Sequence, residues 1–147
     1  MEHLDRPDEI SWDERRLWFE AREAEIGRGG AGALSEQACA LMIDLQAAFC
    51  AGAWAAVVIL AAVIVDAQMR EARGGPERPA PAERQWLRRL RNALVHEDPT
   101  KPALTMEDHW TGRGEWETYA RRAVEAALAA LYPAPGEGAR PGAGRGG

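Results

Sequence analysis

Residues 84–99 read RQWLRRLRNALVHEDP. Within them an Arg and a His, Arg91 and His96, stand five positions apart where the pattern predicts a helix to end. At 100° per residue, Trp86, Leu87, Leu90, Ala93 and Leu94 fall on one apolar arc that must face a core. Gln85, Arg89, Asn92 and His96 follow at i, i+4, i+7 and i+11 on the opposite side, and Arg84, Arg88 and Arg91 run beside them as a basic stripe. A guanidinium offers the planar fork that suits phosphate oxygens, and imidazole is the side chain whose ordinary titration falls near neutrality. Arg91 and His96 are about 140° apart on a regular helix, so they meet only because Arg is long and the helix ends at His96. A phosphate fits between them, with Arg84, Arg88 and Arg89 as further phosphate contacts. At a helix C-terminus the dipole favours the charged imidazolium, while burial would oppose it.

Other chemistry-bearing residues form weaker groups. His3 lies in a polar, acidic stretch. His109, in MEDHW, is flanked by Glu107 and Asp108; a metal site there competes with a solvated turn, and three adjacent residues in a short segment favour the turn. No metal and no cofactor is therefore expected. Neither Cys39 nor Cys50 has a base nearby in sequence to activate it as a nucleophile. GRGGAG, at 27–32, follows no strand, and no Walker loop is present. Of the six Trp, Trp54 and Trp86 fit core faces. Trp12, Trp18, Trp110 and Trp116 could pack, sit at an interface or stack bases, and packing is expected for most.

The elements that must hold this stripe are all helical. Ser11 and Glu14 form an S-x-x-E capping box after a loose segment 1–10, and Trp12, Phe19 and Ile26 follow at heptad spacing. Gly27–Gly32 ends that helix as a connector. Ser35 caps a second helix whose Ala38, Leu41, Met42, Leu45 and Phe49 make one buried stripe, with Gly52 as a stop or kink. The third helix, about Ala53 to Arg73, is apolar all round until Asp66, with burial expected at Val57, Ile59, Leu60, Val63 and Ile64. Gly74–Pro81 breaks the chain, and the fourth helix runs from about Ala82 to His96, with Pro99 and Pro102 blocking its continuation. Thr105 and Asp108 open at most a short turn. A last helix, Glu115 to Leu131, buries Tyr119, Ala123, Val124, Ala127, Leu128 and Leu131. No strand pattern or internal repeat appears. The expectation is one all-α domain over 11–132, an up-and-down bundle of four main helices plus an N-terminal one, with a disordered Pro/Gly-rich tail at 133–147.

The chain's 147 residues allow one domain. Its net charge of −5 excludes a basic nucleic-acid coat, yet residues 73–98 hold six Arg against four acids whereas residues 1–30 hold nine acids against five Arg. An anion site belongs in the first of these windows. Ala47–Val65 is nineteen residues without a charge, close to a bilayer span. Eight of them are Ala, Gly52 splits the run, and no basic cluster flanks its N-terminal end. A central bundle helix is the favoured reading, with no membrane partner. Two cysteines without a secretory signal point to a reducing, cytoplasmic setting. On one helix, eleven residues apart, they stand roughly 16 Å from each other and cannot pair.

Arg91-Asn92-Ala93-Leu94-Val95-His96 resembles the R-x(4–6)-H motif of the HEPN superfamily, the higher-eukaryote and prokaryote nucleotide-binding domains. The polar residue after the Arg and the place at a helix end both match. The segment AWAAVVILAAVIVDAQMRE (53–71) resembles the family's hydrophobic central helix, with Asp66 at its acidic position, where Glu is more usual. The resemblance covers about 35–131. It implies a HEPN-like bundle that dimerises and cuts RNA without metal. His96 would move the 2′ proton or protonate the leaving 5′ oxygen, Arg91 would hold the phosphate, and Asn92 would orient His96 or bond the ribose-phosphate. A homodimer would supply both a base and an acid. Toxin-like members imply an antitoxin partner, commonly a small nucleotidyltransferase. The alternative is a non-catalytic HEPN-like module that binds a protein partner or a nucleotide.

Overall fold

Short polar side chains start two of the helices, and glycine ends those same two. The computed structural model describes residues 5–72 and 78–132. Among them lie α1 (Glu9–Ile26), α2 (Glu36–Ala51), α3 (Trp54–Glu71), α4 (Pro81–Val95) and α5 (Arg113–Leu131), and no strand. Single 3-10 turns, Gly27–Gly29 and Glu107–His109, follow α1 and precede α5. The described residues form an all-α bundle of five helices. The tail expected to be disordered, 133–147, lies outside the described residues, as do residues 1–4 of the segment expected to be loose.

The start of α1 corrects the sequence reading. Its cap is Asp8, not Ser11: Asp8 Oδ1 accepts the Ser11 N–H at 2.8 Å, and the Ser11 hydroxyl donates to Asp8 Oδ2 at 3.0 Å. A carboxylate three residues upstream is the stronger acceptor and complements the helix dipole, so Glu9 and Ile10 are already helical. Ser35 caps α2 as its sequence predicts, accepting the Ala38 N–H at 3.3 Å. Gly52 takes φ 74°, the left-handed stop after α2, and its N–H reaches the Ala48 and Phe49 carbonyls. Pro81 opens α4 from its first turn, where a missing N–H costs nothing. Thr105 and Asp108 do form a turn: the Thr105 N–H donates to Asp108 Oδ2 at 2.6 Å.

The two-residue connection Gly52–Ala53 folds α3 back on α2. α3 is the central helix, packed against α2, α4 and α5, while α1 lies on α2 and α5. Phe49 is the hub of the α1–α2–α3 junction, with ring centroids 5.0 Å from Trp18, 6.0 Å from Phe19 and 5.5 Å from Trp54. Gln68 is the buried polar side chain of this core. It accepts the Ser35 N–H at 2.9 Å and donates to the Ala33 carbonyl at 2.7 Å, which ties the start of α2 to α3. Cys50 is buried and Cys39 exposed, both free.

α3 is less completely covered than its composition predicts. Val57 and Ile64 are fully buried, but Ile59, Leu60 and Val63 are only partly buried and Ala56 is exposed. Ala56, Ile59 and Val63 share one face by their spacing, and among the described residues it is only partly covered, with Asp66 at its α4 end. Among them α3 packs closely on three helices, too few to enclose it. On α5 Tyr119 is likewise half-buried rather than buried, because its hydroxyl donates to Glu115 at the surface. No helix among the described residues is long and apolar enough to cross a membrane.

Candidate functional site at the α3–α4 edge

α4 is placed by its apolar arc and by one anchor. Leu87 is buried against the core, with Trp86, Leu90 and Leu94 packed around it. Ala93, at the rim of the predicted arc, is exposed instead. The anchor is Arg122 of α5, which donates to Glu83 through Nε at 2.8 Å and Nη2 at 2.6 Å and lies 3.9 Å from the Trp86 ring centroid. This contact holds the Glu83 carboxyl below its usual range. It fixes the rotation of α4, and so the faces on which its polar residues stand.

The predicted polar row is outward: Gln85, Arg89, Asn92 and His96 are all exposed. The basic stripe turns toward α3. Asp66 Oδ2 lies 3.8 Å from Arg91 Nη1, and Asp66 Oδ1 lies 3.9 Å from Arg88 Nη2. One carboxylate thus faces two guanidinium groups at distances longer than a hydrogen bond. The Arg91 side chain is 26% exposed, and its Nε is buried with no hydrogen-bond partner among the described residues. Arg84 joins Asp66, Arg88 and the apolar Ala62, Val65 and Met69 in lining a cleft of about 60 Å³ between the two helices. That is room for little more than one or two waters.

His96 ends α4, its backbone N–H donating to the Asn92 carbonyl at 2.8 Å. Its imidazole is exposed. The Asn92 side chain makes no hydrogen bond to it among the described residues; the bond between the two residues is the backbone one. Nor does Arg91 bond to His96. Arg91, Arg88 and Arg84 converge on the Asp66 cleft, while Arg89, Asn92 and His96 point to solvent. Asp66 is what gathers the stripe; the sequence offered it through the family resemblance but gave no local sign of its contacts.

The Glu107–His109 group is a turn. Asp108 Oδ2 takes both the N–H and, at 2.8 Å, the hydroxyl of Thr105, which lowers its carboxyl pKa. Among the described residues no three His, Cys, Asp or Glu side chains are grouped as metal ligands. Sequence reasoning missed a second cluster at the α2–α3 junction. There Arg15 Nη1 donates to the Cys50 carbonyl at 3.0 Å and Arg113 Nη2 to the Gly52 carbonyl at 2.8 Å, both beside Trp54. These partners are 35 and 61 residues apart, and nothing local announces such a pairing. Comparison of the chain with protein-family models, curated proteins and solved structures returns no match.

Proposed function

We propose that the chain is a HEPN-like, metal-independent endoribonuclease acting as a homodimer in the cytoplasm, with Arg91 and His96 of two protomers forming one cleft. The observation that carries this reading is the position of Arg91: Asp66 holds it 3.8 Å away, with Asp66 itself at the end of the half-covered Ala56–Ile59–Val63 face of α3. A second protomer seated on that face covers the apolar stripe and brings a second Arg/His pair alongside the first. Hydrophobic cover drives the association, and the chemistry follows from it.

The step needs few groups. The ribose 2′-OH attacks the adjacent phosphorus, the 5′ oxygen leaves, and a 2′,3′-cyclic phosphate and a 5′-OH result. One His96 takes the 2′ proton and the other donates to the leaving oxygen. Arg91 stabilises charge on the non-bridging oxygens. Its loosely paired Nη1 is available to do so once a phosphate competes with Asp66 for it. Asn92 and Arg89, both exposed, together with Arg84 and Arg88, follow the ribose-phosphate backbone. In this reading the antitoxin is a small nucleotidyltransferase that occludes the α4 face.

The test is cleavage of a mixed RNA pool by purified protein. His96→Ala abolishes cutting, and Arg91→Ala slows it by roughly two to three orders of magnitude, the size of one lost preorganised donor. Arg91→Lys restores part of the rate, keeping charge without the fork. Cutting persists in EDTA, and DNA, without a 2′-OH, is spared. Val63→Glu converts dimer to monomer by light scattering and removes activity with it. Absence of cleavage by a confirmed dimer defeats the nuclease reading and leaves the binding module, whose association with an anionic partner these variants weaken.

A further inference from the structure

A cleft of about 300 Å³ opens at the opposite end of α3 from Asp66, between the first turns of α3 and α5. Ala55 on its wall and Asp66 are eleven residues apart on α3, roughly 16 Å by helical rise, so this is a separate place from the Arg91 edge. Its size is at the lower end of small-molecule pockets. Its walls are mainly apolar: Trp54, Trp116 and Leu104 line it, and the polar groups at the mouth are Arg113, His109 and Asp108.

The polar groups have distinct states. The Asp108 carboxylate is engaged by its own turn, with Oδ2 on Thr105 and Oδ1 against Gly112, where an added Cβ would stand only 2.7 Å from it. The Arg113 guanidinium is fixed 5.7 Å from the Trp54 ring centroid by its bond to the Gly52 carbonyl. That bond takes one of five N–H donors. A rigid cation therefore stands at the rim of a small apolar cavity walled by indoles, with an imidazole beside it.

We propose that this cleft binds a small planar aromatic carboxylate, its ring against Trp54, Leu104 and Trp116 and its carboxylate on the Arg113 fork with His109 alongside. An aromatic ring gains from the apolar walls, and a carboxylate matches a planar guanidinium. A neutral ligand would gain nothing from the charge of the guanidinium, and an aliphatic phosphate would leave the indole walls bare.

Titration of the full chain with 1-naphthoate, followed by calorimetry and tryptophan fluorescence, tests this against 1-naphthalenemethanol, which has a similar shape and no charge. Saturable binding of naphthoate is expected, with the alcohol weaker by about tenfold or more, the size of one charge-assisted hydrogen bond. Arg113→Gln weakens naphthoate by a similar factor, and His109→Gln weakens it less. Ala53→Leu, at an exposed wall residue outside the proposed dimer face, fills the cleft and abolishes binding without altering Arg113. Thermal melts identify any variant that fails to fold; Ala53→Leu decides the matter if Arg113→Gln does. No saturable naphthoate binding, equal affinity for the alcohol, or binding unchanged in folded Ala53→Leu overturns the proposal. None of these readouts depends on RNA cleavage, so this site and the nuclease reading stand or fall separately.

Discussion

Arginine is used in two ways at the two sides of this bundle. On the α1–α5 side three guanidinium groups are each locked by a short bond and an aromatic ring. Arg15 bonds the Cys50 carbonyl at 3.0 Å and sits 4.9 Å from the Trp54 centroid. Arg121 bonds Glu117 at 2.8 Å and lies 4.6 Å from Trp18, and Arg122 grips Glu83 over Trp86. On the α4 side Arg88 and Arg91 share one carboxylate at 3.9 and 3.8 Å, and among the described residues neither lies over a ring. The locked arginines fasten helices. The loose ones hold charge beside a half-covered apolar face and contribute little to the fold, because long, partly solvated ion pairs are worth at most about 1 kcal/mol. Charge retained where it does not stabilise is charge available for a ligand.

The sharpest way to break this contrast is to remove the centre of the locked side. Phe49→Ala deletes the ring shared by Trp18, Phe19 and Trp54 and should cost about 3–5 kcal/mol. Urea unfolding checks this, and a loss under about 1.5 kcal/mol would mean that the aromatic junction is not the keystone. Next in size is the loose side, where the effect falls on rate alone. Arg91→Ala and His96→Ala should leave the melting temperature nearly unchanged while RNA cleavage falls as stated above. A large drop in stability for Arg91→Ala would show instead that Asp66 and Arg91 fasten α3 to α4.

Gly52→Ala should come third. Gly52 has φ 74°, and a Cβ there would lie 2.9 Å from Arg15 Nη1 and 3.1 Å from Arg113 Nη2. The left-handed conformation costs an L-residue roughly 1–2 kcal/mol, and both arginines must shift. A fall of about 5 °C in melting temperature is expected from scanning calorimetry. An unchanged melt would mean that the two guanidinium tips are as loose as those on α4.

What the sequence made legible follows from the reach of each signal. The Ser35 cap, the Gly52 stop and the Thr105–Asp108 turn are decided within four residues, and reading them locally suffices; Pro81, read with the break before it, is the first residue of α4. The start of α1 is local too, but Asp8 takes the Ser11 N–H, where a Ser11 cap would have taken that of Glu14, and the stronger acceptor sets the start. The outward row Gln85, Arg89, Asn92 and His96 was readable because α4 has one clear apolar side. The half-covered face of α3 was not, since Ile59, Leu60 and Val63 look as apolar as Val57, and exposure depends on how many helices remain to cover them. The Gln68 clasp and the Arg15–Trp54–Arg113 cluster were equally invisible, being contacts between distant segments.

The smallest expected effect concerns Tyr132, a locked contact with no arginine. It follows α5, its hydroxyl donates to Glu23 at 2.9 Å, and its ring lies 3.5 Å from where a Cβ on Gly27 would be. Burial first, and then the bond to Glu23, push its pKa up to about 12. An unfolded Tyr titrates near 10. Between those values the folded chain holds a proton that the unfolded chain has released, so stability must fall as pH rises through that window. Below pH about 10 both states are protonated and the contribution is constant. Tyr132→Phe removes the titration and should flatten this part of the alkaline limb relative to the parent, with little change near neutrality beyond the lost hydrogen bond of about 1 kcal/mol. Urea midpoints for the two chains from pH 8 to 12 give the difference directly. Parallel curves across that range would show that Tyr132 is solvated in the folded state, and that the junction of α1 with the end of α5 belongs with the loose side of the bundle.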